Sequence, residues 1–170
     1  YSRELERTED ITVNNPVPRG KILDRTLKTV VDNDPVDAIT YTRYQRTTTE
    51  EMLETAEKLA TFIEKKTNKI TERDKKDFWI LKNPEKAKAL ITEKDLEKVA
   101  NEELEESDLY KLQLERITKE QFDGFSDEEL NVLAIYREMA SAKSLTPQII
   151  KNEDVTAEEV AIVSENLESL

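Results

Sequence analysis

Apolar residues in this chain change their spacing once, and that change divides the sequence into two kinds of structure. Before Thr48 they alternate with polar neighbours at Ile11-Thr12-Val13 and from Ala38 to Tyr44 and otherwise sit in short β-rich runs, and from Thr48 they recur every three or four positions. Alternation lines one face of a strand, whereas spacing near 3.6 lines one stripe of a helix. Ile11-Thr12-Val13, Lys21-Ile22-Leu23, Thr29-Val30-Val31 and the run from Ala38 to Tyr44 are rich in β-branched or aromatic residues and read as short strands. Asn15-Pro16-Val17-Pro18 excludes helix between the first two, because each proline fixes φ and biases its predecessor to extended geometry. Asn33-Asp34-Pro35 is a turn signal. A meander or stem over residues 1–47 is expected.

From Thr48 the helix-start signals repeat. Thr48 with Glu51, Thr71 with Asp74, Thr118 with Gln121, Ser126 with Glu129 and Thr156 with Glu159 all have the spacing of a capping box. In that motif a hydroxyl accepts from an orphan amide while a side chain three residues on reaches back. Met52, Ala56, Leu59 and Ile63 follow the first box as one stripe, and Val132, Leu133, Tyr136 and Met139 follow the fourth. Gly124 is placed to end a short helix in left-handed geometry, and Pro84 suits a first helical position. The residues 48–143 read as a helical head. Over 144–170, Gln148 to Lys151 reads as a strand returning to the stem, and the helix after Thr156 carries Val160, Val163 and Leu167. Strands, helices, strand and helix in that order make an α+β fold, not a doubly wound parallel sheet.

Composition fixes the shape expected and excludes several chemistries. Charged residues make up 38% against 36% apolar, too little core for a sphere of this size, so the expected shape is elongated with one narrow buried stripe per helix. The net charge of −12 repels polyphosphate and anionic bilayers, which argues against nucleic-acid partners and against lying on a membrane. The chain has no Cys and no His, which removes disulfides, thiol and Ser-His catalysis and the usual zinc ligands. No cofactor or metal site is read from it. The chain starts at Tyr1 without Met and holds no membrane-spanning run, as expected of a piece of something longer.

Val17-Pro18-Arg19-Gly20-Lys21-Ile22-Leu23-Asp24-Arg25 resembles the R-G-x-x-x-D-R signature of monofunctional (class B) penicillin-binding proteins. Arg116-Ile117-Thr118, Ile135-Tyr136, Pro147, Ile150-Lys151-Asn152, Val155-Thr156 and Val163-Ser164-Glu165 recur in similar order in Gram-positive members. The resemblance implies the N-terminal, non-catalytic pedestal or dimerisation domain, on the extracytoplasmic face of the cell membrane after a single-pass anchor. It implies a C-terminal serine transpeptidase domain acting on D-Ala-D-Ala stem peptides in peptidoglycan synthesis. Candidate partners are that domain, cell-division or elongation proteins, and a second copy in a homodimer. The family usually follows D-R with Asn-Gly, whereas this chain has Thr26-Leu27, neither of which takes positive φ cheaply, so a different and longer turn is expected before Thr29. The family's catalytic patterns are missing: no Ser precedes Lys as S-x-x-K, neither Gly follows K-[ST], and Ser164-Glu165-Asn166 matches S-x-N without partners. No catalytic residue is therefore assigned. The rival reading is a free-standing acidic helical interaction module.

Within this frame Arg19, Gly20, Asp24 and Arg25 are the candidate interdomain motif. Arg suits bidentate interfacial pairing, Gly permits close backbone approach, and the alternative is turn charges of little consequence. Phe78 and Trp79 are either the core of a helix pair or a partner-binding patch. Asp123, Asp127, Glu128 and Glu129 lack the alternating ligands of a calcium loop. Glu102, Glu103, Glu105 and Glu106 read as a solvated face.

Overall fold

A computed structural model describes residues 9–14, 21–31 and 37–167. The fold is α+β, with β1 (Glu9–Asn14), β2 (Ile22–Leu23), β3 (Thr29–Val31) and β4 (Ala38–Arg43) preceding α1 (Thr49–Ala60). Helices α2 (Glu72–Lys82), α3 (Pro84–Ala89), α4 (Glu93–Ala100), α5 (Glu106–Arg116), α6 (Lys119–Phe122) and α7 (Asp127–Ala140) follow, and then β5 (Pro147–Lys151) and α8 (Ala157–Glu165). The strands do not form the expected meander. The order β1-β4-β5 makes one antiparallel sheet, and β2-β3 is a separate hairpin between the first two of its strands in sequence. Residues 15–20 and 32–36, which include both proline signals, lie outside the described residues.

Two compact units are present, one from residues up to Lys65 together with those from Ile135, the other from Lys66 to Ala134. The first boundary falls well after the change of period at Thr48, so α1 belongs with the sheet. The reason is its stripe: Met52, Ala56 and Leu59 are buried in the same unit as Ile11, Ile39, Tyr41 and Ile150 of the sheet and Ile135, Met139 and Val163 of the later helices. In the sheet Ile11 faces Tyr41 across the β1–β4 pair, and β5 joins the other side of β4 with a register shift between Ile39 and Thr40. A shift of that kind re-aims side chains without ending the pairing.

The second unit has its own core of Trp79, Ala87, Ile117 and Phe122, against which Ile80, Leu90 and Phe125 pack. Its helices are short and highly charged, and an ion pair between the buried Asp95 and the half-buried Arg116 joins two of them. Asp95 is 6% exposed, and the Arg116 guanidinium donates to both of its oxygens at 2.6 and 3.1 Å and to the Leu90 carbonyl at 2.6 Å. Thr92 adds its amide at 2.8 Å and its hydroxyl at 2.6 Å. Arg116 first and Thr92 second hold the Asp95 carboxyl well below the usual carboxylate range.

The capping boxes read from the sequence form as the spacing requires. Thr48, Thr71, Ser126 and Thr156 accept from the amides of Glu51, Asp74, Glu129 and Glu159, and each partner carboxylate accepts from the cap residue's amide. Gly124 departs from expectation. No described glycine has positive φ, and Asp123 ends α6 in right-handed geometry, donating to the Lys119 carbonyl. The left-handed positions belong instead to Leu27, Glu102, Leu145 and Asp154.

Candidate functional site

The described part of the R-G-x-x-x-D-R motif forms the β2–β3 hairpin, and Arg19 and Gly20 lie outside the described residues. Asp24 builds the turn. Its Oδ1 accepts from the Thr26 amide at 2.7 Å, the Thr26 hydroxyl at 2.6 Å and the Lys28 amide at 3.0 Å. The backbone closes around it, with the Asp24 amide donating to the Lys28 carbonyl at 2.9 Å and the Leu27 amide to the Asp24 carbonyl at 3.0 Å. The Thr26 hydroxyl and then the Lys28 and Thr26 amides hold the Asp24 carboxyl below its ordinary value. Aspartate suits this place because its short carboxylate reaches amides two and four residues on, substituting for backbone hydrogen bonds.

Leu27 sits at φ 63°, left-handed backbone that costs a leucine about 1–2 kcal/mol, inside the turn that the Asp24 clasp closes. The turn before Thr29 runs from Asp24 to Lys28. Asp24 is engaged inside its own turn, and no ion pair joins it to Arg25 among the described residues. Arg25 is exposed beside it. Thr26 and Leu27 enter the sequence reading only as a departure at the turn; the part Thr26 plays in closing it is signalled by the Asp-x-Thr spacing of an Asx-type turn.

Of the two readings of Phe78 and Trp79, burial agrees with the core of the helices. Phe78 is 1% and Trp79 5% exposed, so neither forms a surface patch. Phe78 meets Phe125 with ring centroids 5.2 Å apart and tilted by 59°, and Trp79 belongs to the core of the second unit. Helix α2 buries both, while its lysines cover the rings and the surface around them: Lys76 lies 5.3 Å over the Phe122 ring, Lys82 5.6 Å over the Phe78 ring, and Lys75 reaches Asp123 at 3.1 Å. Glu102, Glu103, Glu105 and Glu106 are all exposed. Asn166 of the S-x-N match donates its side-chain amide to the Ile162 carbonyl at 2.8 Å, closing the end of α8. No cluster of three metal-ligating side chains occurs among the described residues, and no described helix is long and apolar enough to cross a membrane.

The hairpin, the three-stranded sheet and the helical insertion recur together in known proteins. Residues 14–170 match the family described as the Penicillin-binding Protein dimerisation domain. The chain belongs to this family. As a dimerisation domain it is 48% identical over its whole length to Penicillin-binding protein 2A of Bacillus subtilis (strain 168), of which it covers 24%. It is 33% identical to Penicillin-binding protein H of the same organism, covering 27% of that protein. The fold matches Penicillin-binding protein 2B of Streptococcus pneumoniae (strain R6) with a TM-score of 0.60 at 19% identity, over 91% of this chain and 23% of that one. The dimerisation domain thus spans about a quarter of the length of the curated relatives it matches.

Proposed function

We propose that this dimerisation domain is the extracytoplasmic pedestal that positions the D,D-transpeptidase domain of a class B penicillin-binding protein during peptidoglycan cross-linking. One observation carries the reading: the whole chain aligns with penicillin-binding proteins four times its length, yet it contains neither S-x-x-K nor K-[ST]-G. The nucleophile belongs to the remaining three quarters of such a protein. In that part the serine is acylated by the D-Ala-D-Ala stem peptide and passes the acyl group to a neighbouring strand. The work left to the pedestal is placement, holding that serine at a fixed height above the cytoplasmic membrane, to which the protein is tied by an anchor. Placement of this kind acts through geometry, since misplacing reacting groups by even an ångström is felt in rate. Division or elongation proteins and a second copy are the further partners this reading admits.

The motif is the part of the pedestal that the reading sets against the catalytic domain. Arg25 is exposed, and Asp24 shapes the turn that presents it. In the complete protein, Arg19→Ala with Arg25→Ala should separate the unfolding of pedestal and transpeptidase domain, lowering the latter by a few °C in scanning calorimetry. Transitions that coincide with those of the unmodified protein would remove the motif from the interface.

A further inference from the structure

An open antiparallel sheet ends in two edges, and an edge carries backbone groups that a further strand can join. In the order β1-β4-β5, β1 lies against α8, which leaves β5 as the edge to be accounted for. Its sequence invites pairing: Gln148-Ile149-Ile150 is β-prone, and Ile149 is 47% exposed. Three features stand against it. Pro147 opens the strand and has no N–H to donate. Ile150 is the extra residue of a bulge, since Ile39 faces Lys151 while Thr40 faces Ile149. The carbonyl of that extra residue accepts from Lys65 Nζ, on a side chain only 19% exposed in the segment that follows α1.

The same segment is fastened at further points. The Glu64 amide donates to Glu159 Oε1 at 3.1 Å, and Glu159 in turn holds Lys151 of β5. Glu138 of α7 lies 3.5 Å from Lys65 Nζ, so the ammonium at the strand is held from both sides. We propose that Glu64-Lys65 is a strap over the end of β5 that closes the sheet to a further strand, the strand it excludes being β5 of a second copy. A two-fold pairing of two such edges centres on Ile149, the middle residue of the strand, and sets each Gln148 opposite an Ile150. The Ile150 carbonyl that Lys65 occupies is among the groups the new ladder would draw on, and Pro147 removes a donor from its end. Proline, bulge and lysine are the means by which a sheet edge is kept from pairing, and all three fall within this one short strand. The strap lies within the sheet-containing unit and does not depend on the pedestal reading. It marks an edge at which two copies of a dimerisation domain do not meet.

The chain has no Cys, so Ile149→Cys sets a single thiol at the centre of the edge. Cross-linking by a short bismaleimide is followed in that background, with Lys65→Met added, and with Lys65→Met and Pro147→Val added together, each checked for native far-UV circular dichroism. The expected rates rise in that order, the last about tenfold above the first, as they would for a dimer stabilised by a new ladder. Lys65→Arg, which keeps a donor for the Ile150 carbonyl, should cross-link as slowly as the background. Should Lys65→Met not fold, Lys65→Gln takes its place, being polar but too short to reach the carbonyl. Rates that do not change when Lys65 and Pro147 are replaced would overturn the strap's role. So would cross-linking in the background as fast as in the doubly substituted chain, since the edge would then be open with the strap in place.

Discussion

Phe78→Ala is expected to lower the unfolding free energy of the helical unit by about 3–5 kcal/mol, the loss typical of truncating a fully buried aromatic ring. The side chain is 1% exposed, packs on Phe125 and lies under the Lys82 ammonium, 5.6 Å from the ring centroid. Removing it forfeits the transfer free energy of the ring, leaves a cavity, and takes away an aromatic partner whose tilted geometry adds to burial. A unit with so few apolar residues has little else to compensate with. Trp79, the single tryptophan, reports on the same core, so urea unfolding followed by its emission measures the loss directly. A loss below about 0.5 kcal/mol, as expected for surface positions, would return Phe78 to the surface and revive the partner-patch reading.

Glu159→Ala should remove a comparable amount, about 3–5 kcal/mol, from the sheet-containing unit. Glu159 Oε1 accepts from Lys151 Nζ at 2.6 Å and from the Glu64 amide at 3.1 Å, while Oε2 accepts from Lys151 Nζ at 2.9 Å and from the Thr156 amide at 2.9 Å. One carboxylate therefore ties β5, the first turn of α8 and the segment that follows α1. Alanine would leave the Lys151 ammonium, 11% exposed, without its counter-ion, and an unpaired buried charge is more damaging than the pair was stabilising. The effect depends on pH with a definite sign. Burial pushes the Glu159 carboxyl up, but Lys151 and the Thr156 and Glu64 amides together outweigh it and hold it below its ordinary value of 4.5. A depressed folded value means that the contribution is fully present above the unfolded value and is lost as pH falls from there through the folded one. The gap between unmodified protein and Glu159→Ala should therefore be widest at neutral pH and narrow below about pH 4. A gap that is constant from pH 7 to pH 3 would show that the carboxylate's charge is not what holds these elements.

Much of this architecture was legible from residue spacing. The strands at Ile11, Ile22, Thr29, Ala38 and Gln148 and the helix starts at Thr48, Thr71, Ser126 and Thr156 depend on local chemistry, and local chemistry is what a sequence displays. Strand order was not, because β1 pairs with β4 across an intervening hairpin, and non-local pairing leaves no mark on spacing. The same holds for the unit boundary: α1 has an ordinary amphipathic stripe, and nothing in its residues says whether the stripe faces sheet or helices. Leu27 was read from propensity alone, and propensity was overridden by a tertiary-like clasp from Asp24 three residues earlier. Gly124 failed in the opposite direction. Its presence after a short helix suggested left-handed geometry, but Asp123 already ends the helix, and a Cβ at Gly124 would meet only the Glu120 carbonyl at an ordinary 3.6 Å. The motif was found by resemblance, and the structure assigns its Asp24 a task inside the hairpin that the resemblance did not supply.

The measurement that bears most directly on the pedestal assignment is labelling by a fluorescent penicillin, run side by side on this 170-residue chain and on the complete gene product. The account predicts covalent labelling of the complete product at a serine beyond Leu170 and none of this chain. Labelling of this chain itself, or of neither, would contradict it.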